Sequence, residues 1–224
     1  MMSRLHALAV LLFASAGAQV LEDFGKAKHD WMELNDPVMG GKSTATFAID
    51  AAGKGVFNGT CAIVPSLKAP GFCSAQTKKA LIATKFPDAS GSLAGGLVVA
   101  ATTSTPDFTG FKIAFRAKGI PHTSIYGGGS FKAPFALGAG ANSTYVPFSK
   151  FSYDWSGFTG ACETKDPNGQ QHHCCGAGDL AKYCPTAAYL SEVTGLEIWA
   201  EGAEGDFHLE VSSVTAVPGA PGVV

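Results

Sequence analysis

The sequence predicts an all-β protein, a single antiparallel β-sandwich, from three observations. Apolar residues recur with period two in short stretches, those stretches are bounded by Gly, Pro, Asn, Asp and Ser, and no segment has the apolar spacing of an amphipathic helix. A strand with one apolar face must bury it, and many short strands without helices do so as two sheets packed face to face. The 224 residues suffice for one sizeable core, and an all-β fold of this length need not divide.

The chain opens with Arg4, an apolar run from Leu5 to Ala14, and Ala16-Gly17-Ala18. This is the form of a secretory signal with a small-residue cleavage site, so residues 1–18 are predicted to be removed and the mature chain to begin at Gln19. The competing address is mitochondrial, but a transit peptide is amphipathic and arginine-rich, and this segment has one Arg and a continuous apolar block. No later stretch reaches the roughly 20 apolar residues of a membrane helix. The expected location is extracellular, with residues 19–217 as the sandwich, 154–185 as a cysteine-rich insertion within it, and the Pro/Gly-rich 218–224 as a flexible tail.

The run from Trp31 to Ser43 combines Asn35-Asp36-Pro37 with Gly40-Gly41. Asn and Asp bond their own backbone, Pro fixes φ, and Gly admits φ > 0, so the run reads as an ordered loop leading into a strand. Strands are then expected over 44–49, 56–64, 72–78, 96–103, 123–127 and 145–148. Phe111, Ile113 and Phe115 alternate with Lys112, Ala114 and Arg116; Leu196, Ile198 and Ala200 with Glu197, Trp199 and Glu201; Phe207, Leu209 and Val211 with His208, Glu210 and Ser212. Each set is a strand with one apolar face. Asp36, Asp107, Glu197, Glu201 and Asp206 are read as turn-forming residues or exposed strand positions.

Six cysteines follow the cleavage site, an even number that suits a disulfide framework in an oxidising compartment. A hairpin centred on Leu67 would set Cys61 opposite Cys73, about 4.5 to 5.5 Å apart between Cα atoms and within bridging reach. Cys162, Cys174, Cys175 and Cys184 would then cross-link the insertion, as 162–174 with 175–184 or as 162–175 with 174–184. A zinc site is disfavoured because adjacent ligands such as Cys174-Cys175 suit one tetrahedral ion poorly, which leaves His172 and His173 as solvated loop residues. Asn58-Gly59-Thr60 and Asn142-Ser143-Thr144 are glycosylation sequons.

The formal charge is −2, and no basic run or basic-aromatic interleaving suggests a nucleic acid partner. Gly127-Gly128-Gly129 and Gly138-Ala139-Gly140 lack the flanking strand and helix of a phosphate cradle. No Gly-x-Ser-x-Gly is present, and no spacing places two carboxylates in one cleft, so no enzyme is expected, and one using the His and Cys residues of the insertion is the least favoured reading.

Asn35-Asp36-x-Val38-Met39-Gly40-Gly41-x-Ser43 resembles the opening signature of the NADH:ubiquinone oxidoreductase intermediate-associated protein 30 family, whose members resemble galactose-binding jelly-roll domains. The likeness continues through Phe57-Asn58-Gly59, Pro70 to Ser74, Asp107 to Phe111, Val146 to Phe151 and Gly205 to Val211, covering most of 31–217. Gln76 stands where members usually carry a basic residue, no Trp precedes Tyr145-Val146-Pro147-Phe148, and the insertion 154–185 is not a family feature. The resemblance implies a jelly-roll, galactose-binding-domain-like sandwich. It also implies one of two binding roles: protein binding, as for a namesake that assists assembly of respiratory complex I, or lectin-like binding of a glycan or glycoprotein. Candidate binding residues are Asn35, Asp36, Ser43, Gln76, Tyr126 and Trp155. Sugar-stacking aromatics are sought among Trp31, Trp155, Trp199 and Tyr126, with Trp155 expected to be the most exposed. Asn35, Asp36 and Ser43 read either as architecture of the signature loop or as a polar site at the sandwich edge. No cofactor is predicted; a structural Ca²⁺ in the loops is left open.

Overall fold

The computed structural model describes residues 17–36, 40–67, 70–79, 84–121 and 129–221. The predicted strand over 123–127, Tyr126, Val38 and Met39, and signal residues 1–16 lie outside them. Two antiparallel sheets form a jelly-roll sandwich. The first contains β1 (Gln19–Asp23), β3 (Thr44–Ile49), β4 (Gly55–Cys61), β6 (Gly96–Thr103), β9 (Thr144–Pro147) and β13 (Gly205–Val217), in the order β3-β4-β13-β6-β9 with β1 also paired to β13. The second contains β2 (Trp31–Asn35), β5 (Phe72–Thr77), β7 (Phe111–Ala117), β8 (Ser130–Pro134) and β12 (Val193–Glu201), in the order β2-β5-β12-β7-β8. A small hairpin of β10 (Thr164–Lys165) and β11 (Gln171–His172) and a short helix α1 (Ala187–Ser191) complete the chain. Among the described residues no helix is long and apolar enough to cross a membrane.

The period-two readings of β7, β12 and β13 hold. Phe111, Ile113, Phe115, Leu196, Ile198, Ala200, Phe207, Leu209 and Val211 are all buried between the sheets. Phe207 is the hub of this core, with ring centroids 4.8 Å from Phe57, 5.3 Å from Phe108 and 6.2 Å from Phe111. Each such ring contributes about 1.5 to 3 kcal/mol by leaving water.

The expected loop at Trp31 is instead a strand. Its first five residues pair with Phe72–Thr77 neighbours from Trp31↔Thr77 to Asn35↔Cys73, and the turn chemistry begins only at Asp36. Trp31 is packed on the core, stacked on Phe47, with its indole N–H donated to Glu22 at 3.1 Å. Asn35 then spans to the facing sheet: its amide oxygen accepts from Ala45 N at 2.6 Å and its Nδ2 donates to Ala45 O at 3.2 Å. Ser43 Oγ, buried, accepts from Ala62 N at 3.0 Å. Both side chains are committed to tying strand ends together.

The hairpin expected around Leu67 does not form. β4 ends at Cys61 in one sheet and β5 begins at Phe72 in the other, so Cys61 and Cys73 sit on facing layers as buried free thiols. Burial pushes both thiols up, Cys73 to about 12. The insertion is cross-linked as Cys162–Cys174 and Cys175–Cys184, the first of the two pairings left open above. Peptide mapping without reduction should recover these two bridges, with Cys61 and Cys73 alkylated only after unfolding; a Cys61–Cys73 peptide would contradict the layer assignment.

β3 and β4 approach so closely that a Cβ at Gly59 would meet Thr44 O and Ala45 Cα. Neither can yield, being backbone. Gly59→Ala should therefore cost about 1 to 3 kcal/mol, read as a lower denaturation midpoint with an unchanged denaturant slope.

Candidate functional site

The polar residues of the second sheet share one face. In register across it run Leu34, Ser74, Trp199 and Lys112, and beside them Met32, Gln76, Glu197 and Ala114, with Lys132 of β8 opposite Ala114. The alternation of β7 and β12 puts these side chains outward, which for a solvated face would leave them exposed. They are not. Lys112, Arg116, Lys132, Glu197 and Glu201 are all buried, which corrects the reading of Glu197 and Glu201 as exposed strand positions. The cover is the start of the insertion. A bridge between Lys132 and Ser152 brings it onto β8, and Trp155 then lies over the sheet with its indole N–H donated to Ser152 O at 2.8 Å and Lys132 O at 3.1 Å. Trp155 is accordingly half-buried rather than exposed.

Beneath it Glu201 serves two ammonium groups, Lys132 Nζ at 2.8 Å and Lys112 Nζ at 3.2 Å, and its own carbonyl accepts from Lys112 at 2.7 Å. Burial works against the Glu201 charge, but Lys132 and Lys112 outweigh it and hold the carboxyl below its usual range. Burial pulls the Lys112 ammonium below the ordinary lysine range, with Glu201 opposing. Lys132 Nζ also stands 3.8 Å from the centroid of Trp199 and 5.5 Å from that of Trp155, a cation between two indole faces.

Arg116 organises the other half. It donates to Glu197 at 3.0 Å, to Gln76 Oε1 at 2.9 Å, and to Thr77 O and Oγ1 at 2.6 and 3.0 Å, while Trp199 N–H donates to the second oxygen of Glu197 at 3.0 Å. Gly195 makes this fit, since a Cβ there would collide with the guanidinium. Arg116 Nε and Ser74 Oγ are buried without a hydrogen-bond partner. Toward the β2 edge the face opens: Phe72, Gln76 and Trp199 are half-buried, and Met32 and Leu34 are 40% and 38% exposed. The result is an apolar shelf beside a fixed array of donors and acceptors.

Of the predicted site residues, Gln76 and Trp155 therefore meet on this face. Asn35 and Ser43 lie with the strand ends, Asp36 packs over Gly41, and Tyr126 is outside the described residues. Sequence reasoning missed Lys112, Arg116, Lys132, Glu197 and Glu201; for all but Lys132, which lies on β8, the signal was alternation of charged residues on the neighbouring strands β7 and β12.

A second polar cluster fixes Trp155. His172, read above as a solvated loop residue, is 2% exposed and lies between two carboxylates, with Nδ1 2.7 Å from Asp154 and Nε2 2.9 Å from Asp166. Asp166 also accepts from Ser156, whose hydroxyl takes the N–H groups of Phe158 and Thr159, both at 3.0 Å. Asp154 and Ser156 flank Trp155 in the chain, so the hairpin that carries His172 holds the backbone on both sides of it. Ser, His and Asp here do not form a nucleophilic triad: both imidazole nitrogens are occupied by carboxylates, and neither reaches the Ser156 hydroxyl. Among the described residues no group of three or more His, Cys, Asp or Glu is arranged to hold a metal ion.

Two carboxylates require two ring donors, which is the imidazolium. Burial lowers the His172 pKa, but the hydrogen bonds to Asp166 and Asp154 prevail and the net shift is upward from 6.5. The clamp's stabilisation is thus complete below pH 6.5 and declines as pH rises through the folded-state pKa. Melting temperature should fall as pH is raised from about 6 to about 9, and His172→Asn should melt lower at pH 6 and lose most of that dependence.

The chain is similar to known proteins in fold and in sequence family. Its fold is similar to the family 11 carbohydrate-binding module of a cellulosomal cellulase of Clostridium thermocellum, at 13% identity over 91% of this chain and 96% of that one, with a TM-score of 0.49. A family 11 module from the same organism, solved with a β-1,3-1,4-mixed-linked tetrasaccharide, gives 13% identity over 92% and 98%, with a TM-score of 0.48. An exo-β-agarase gives 10% identity over 90% of this chain and 25% of that one, with a TM-score of 0.42. No curated protein matches the sequence. The model of the Complex I intermediate-associated protein 30 (CIA30) family matches residues 22–166, more than half of the chain, and this chain belongs to that family.

Proposed function

We propose that the chain is a non-catalytic binding module that works outside the cell and takes a glycan or glycoprotein on the outer face of its second sheet. The observation that carries this reading is the pairing of the Met32, Leu34, Phe72 and Trp199 shelf with hydrogen-bonding groups already fixed by their neighbours. A saccharide ring has an apolar face and a rim of hydroxyls, and such a surface complements both. Gln76, half-buried with its Oε1 held by Arg116, would present its amide N–H groups to those hydroxyls with little loss of side-chain entropy. The signal-like leader, the two disulfides of the insertion and the exposed sequon at Asn142 support an extracellular setting.

A second reading, a chaperone or assembly factor for a protein complex of the respiratory type, in mitochondria, is favoured by one feature. Ile63, Val64, Pro65, Pro70 and Phe158 line an open cleft at the end of the sandwich, with Ile63 and Phe158 37% and 41% exposed. Such a cleft suits an apolar segment of a partner protein.

Glycan-array screening of the secreted chain, followed by titration of the best ligand, separates the two. The Met32→Gln, Leu34→Gln double variant alters exposed positions and should fold normally. It should lose about tenfold or more in glycan affinity, the scale of one apolar side chain's burial. Absence of any glycan ligand, together with co-purification of membrane-complex subunits from mitochondria, would favour the assembly reading.

A further inference from the structure

The charges on the outer face do not balance. Lys112, Arg116 and Lys132 are buried against only two carboxylates: Glu197 is taken by Arg116, and Glu201 is shared by both lysines. All 18 Asp and Glu residues of the chain lie among the described residues, and none of the others comes within 4.0 Å of these cations. The segments outside the described residues contain no Asp or Glu, so no loop side chain can supply the missing charge.

From this excess we infer that the ligand of the face is anionic, an acidic saccharide whose carboxylate or sulfate group supplies the counter-charge that Lys112 and Lys132 lack. The inference rests on the glycan reading and narrows it. A buried cation short of counter-charge is costly, and an arriving anion removes that cost while losing its own hydration to fixed donors. Access is from the β2 side, where Gln76 and Trp199 are half-buried and the Met32–Leu34 shelf would carry the sugar ring.

The test compares three oligosaccharides of one backbone, neutral, uronate-bearing and sulfated, titrated into the secreted chain at about 50 mM and about 300 mM salt. An acidic form should bind about tenfold or more tightly than the neutral one, and the preference should shrink at high salt; which acidic form binds better identifies the anion. Lys132→Met leaves Lys112 and Glu201 as a one-to-one pair, so it should fold, checked by melting temperature, and the preference for the acidic form should disappear while neutral binding persists. Neutral binding equal to or stronger than acidic binding in the unsubstituted chain overturns the inference and leaves the glycan reading standing. An unchanged acidic preference in Lys132→Met likewise overturns it. Failure of all three, and of a glycan array, removes the glycan reading and the inference with it.

Discussion

Glu201 is the point on which both layers of the outer face converge. It sits at the end of β12, receives two lysines from β7 and β8, and lies below the segment that carries Trp155. A buried carboxylate between two ammonium groups is stable only if all three stay dry and in register. Loss of Glu201, which would strand two buried ammonium groups, costs about 3 to 5 kcal/mol, comparable to a large fraction of a domain's net stability. The insertion keeps water out, and the triad Asp154–His172–Asp166 keeps the insertion in place. The charged layer and its cover are therefore mutually dependent, although nothing covalent joins them.

Where the insertion covers β7, β8 and the end of β12, both faces of the second sheet are buried, by different physics. Between the sheets the contacts are apolar and tolerate exchanges that conserve volume. On the outer face the contacts are directional: Arg116 uses four hydrogen bonds and Glu197 both its oxygens. Directional networks accept few substitutions but hold side chains in one geometry, which is what a recognition surface needs. Gly195 belongs to this economy of space, since its missing side chain is what admits the guanidinium.

Much of the fold was legible because period two survives in single strands. β3, β5, β6, β7, β12 and β13 all fall where alternation and turn residues place them. The site was less legible for a definite reason. Alternation tells which residues of a strand share a face, not what lies on that face, so Glu197 and Glu201 looked solvated until the insertion was seen to cover them. His172 was misread on similar grounds, since its partners Asp154 and Asp166 are 18 and 6 residues away and no spacing rule connects them. β2 was hidden by its neighbour: the turn residues from Asp36 onward gave their character to a pairing strand. Cys61 and Cys73 misled because closeness in sequence was taken for a hairpin, whereas the chain between them crosses from one sheet to the other.

β12 and β13, the last two strands of the chain, are the middle strands of their sheets. A nascent chain emerging from its N-terminus thus makes edges first and centres last. Until residue 217 is available, β4 and β6 lack the strand that joins them, and β5 and β7 lack theirs. Native pairing must wait for nearly complete synthesis, with apolar strands unpaired in the meantime. Truncation before Gly205 would not trim this sandwich; it would split the first sheet down the middle, and truncation before Val193 would split both.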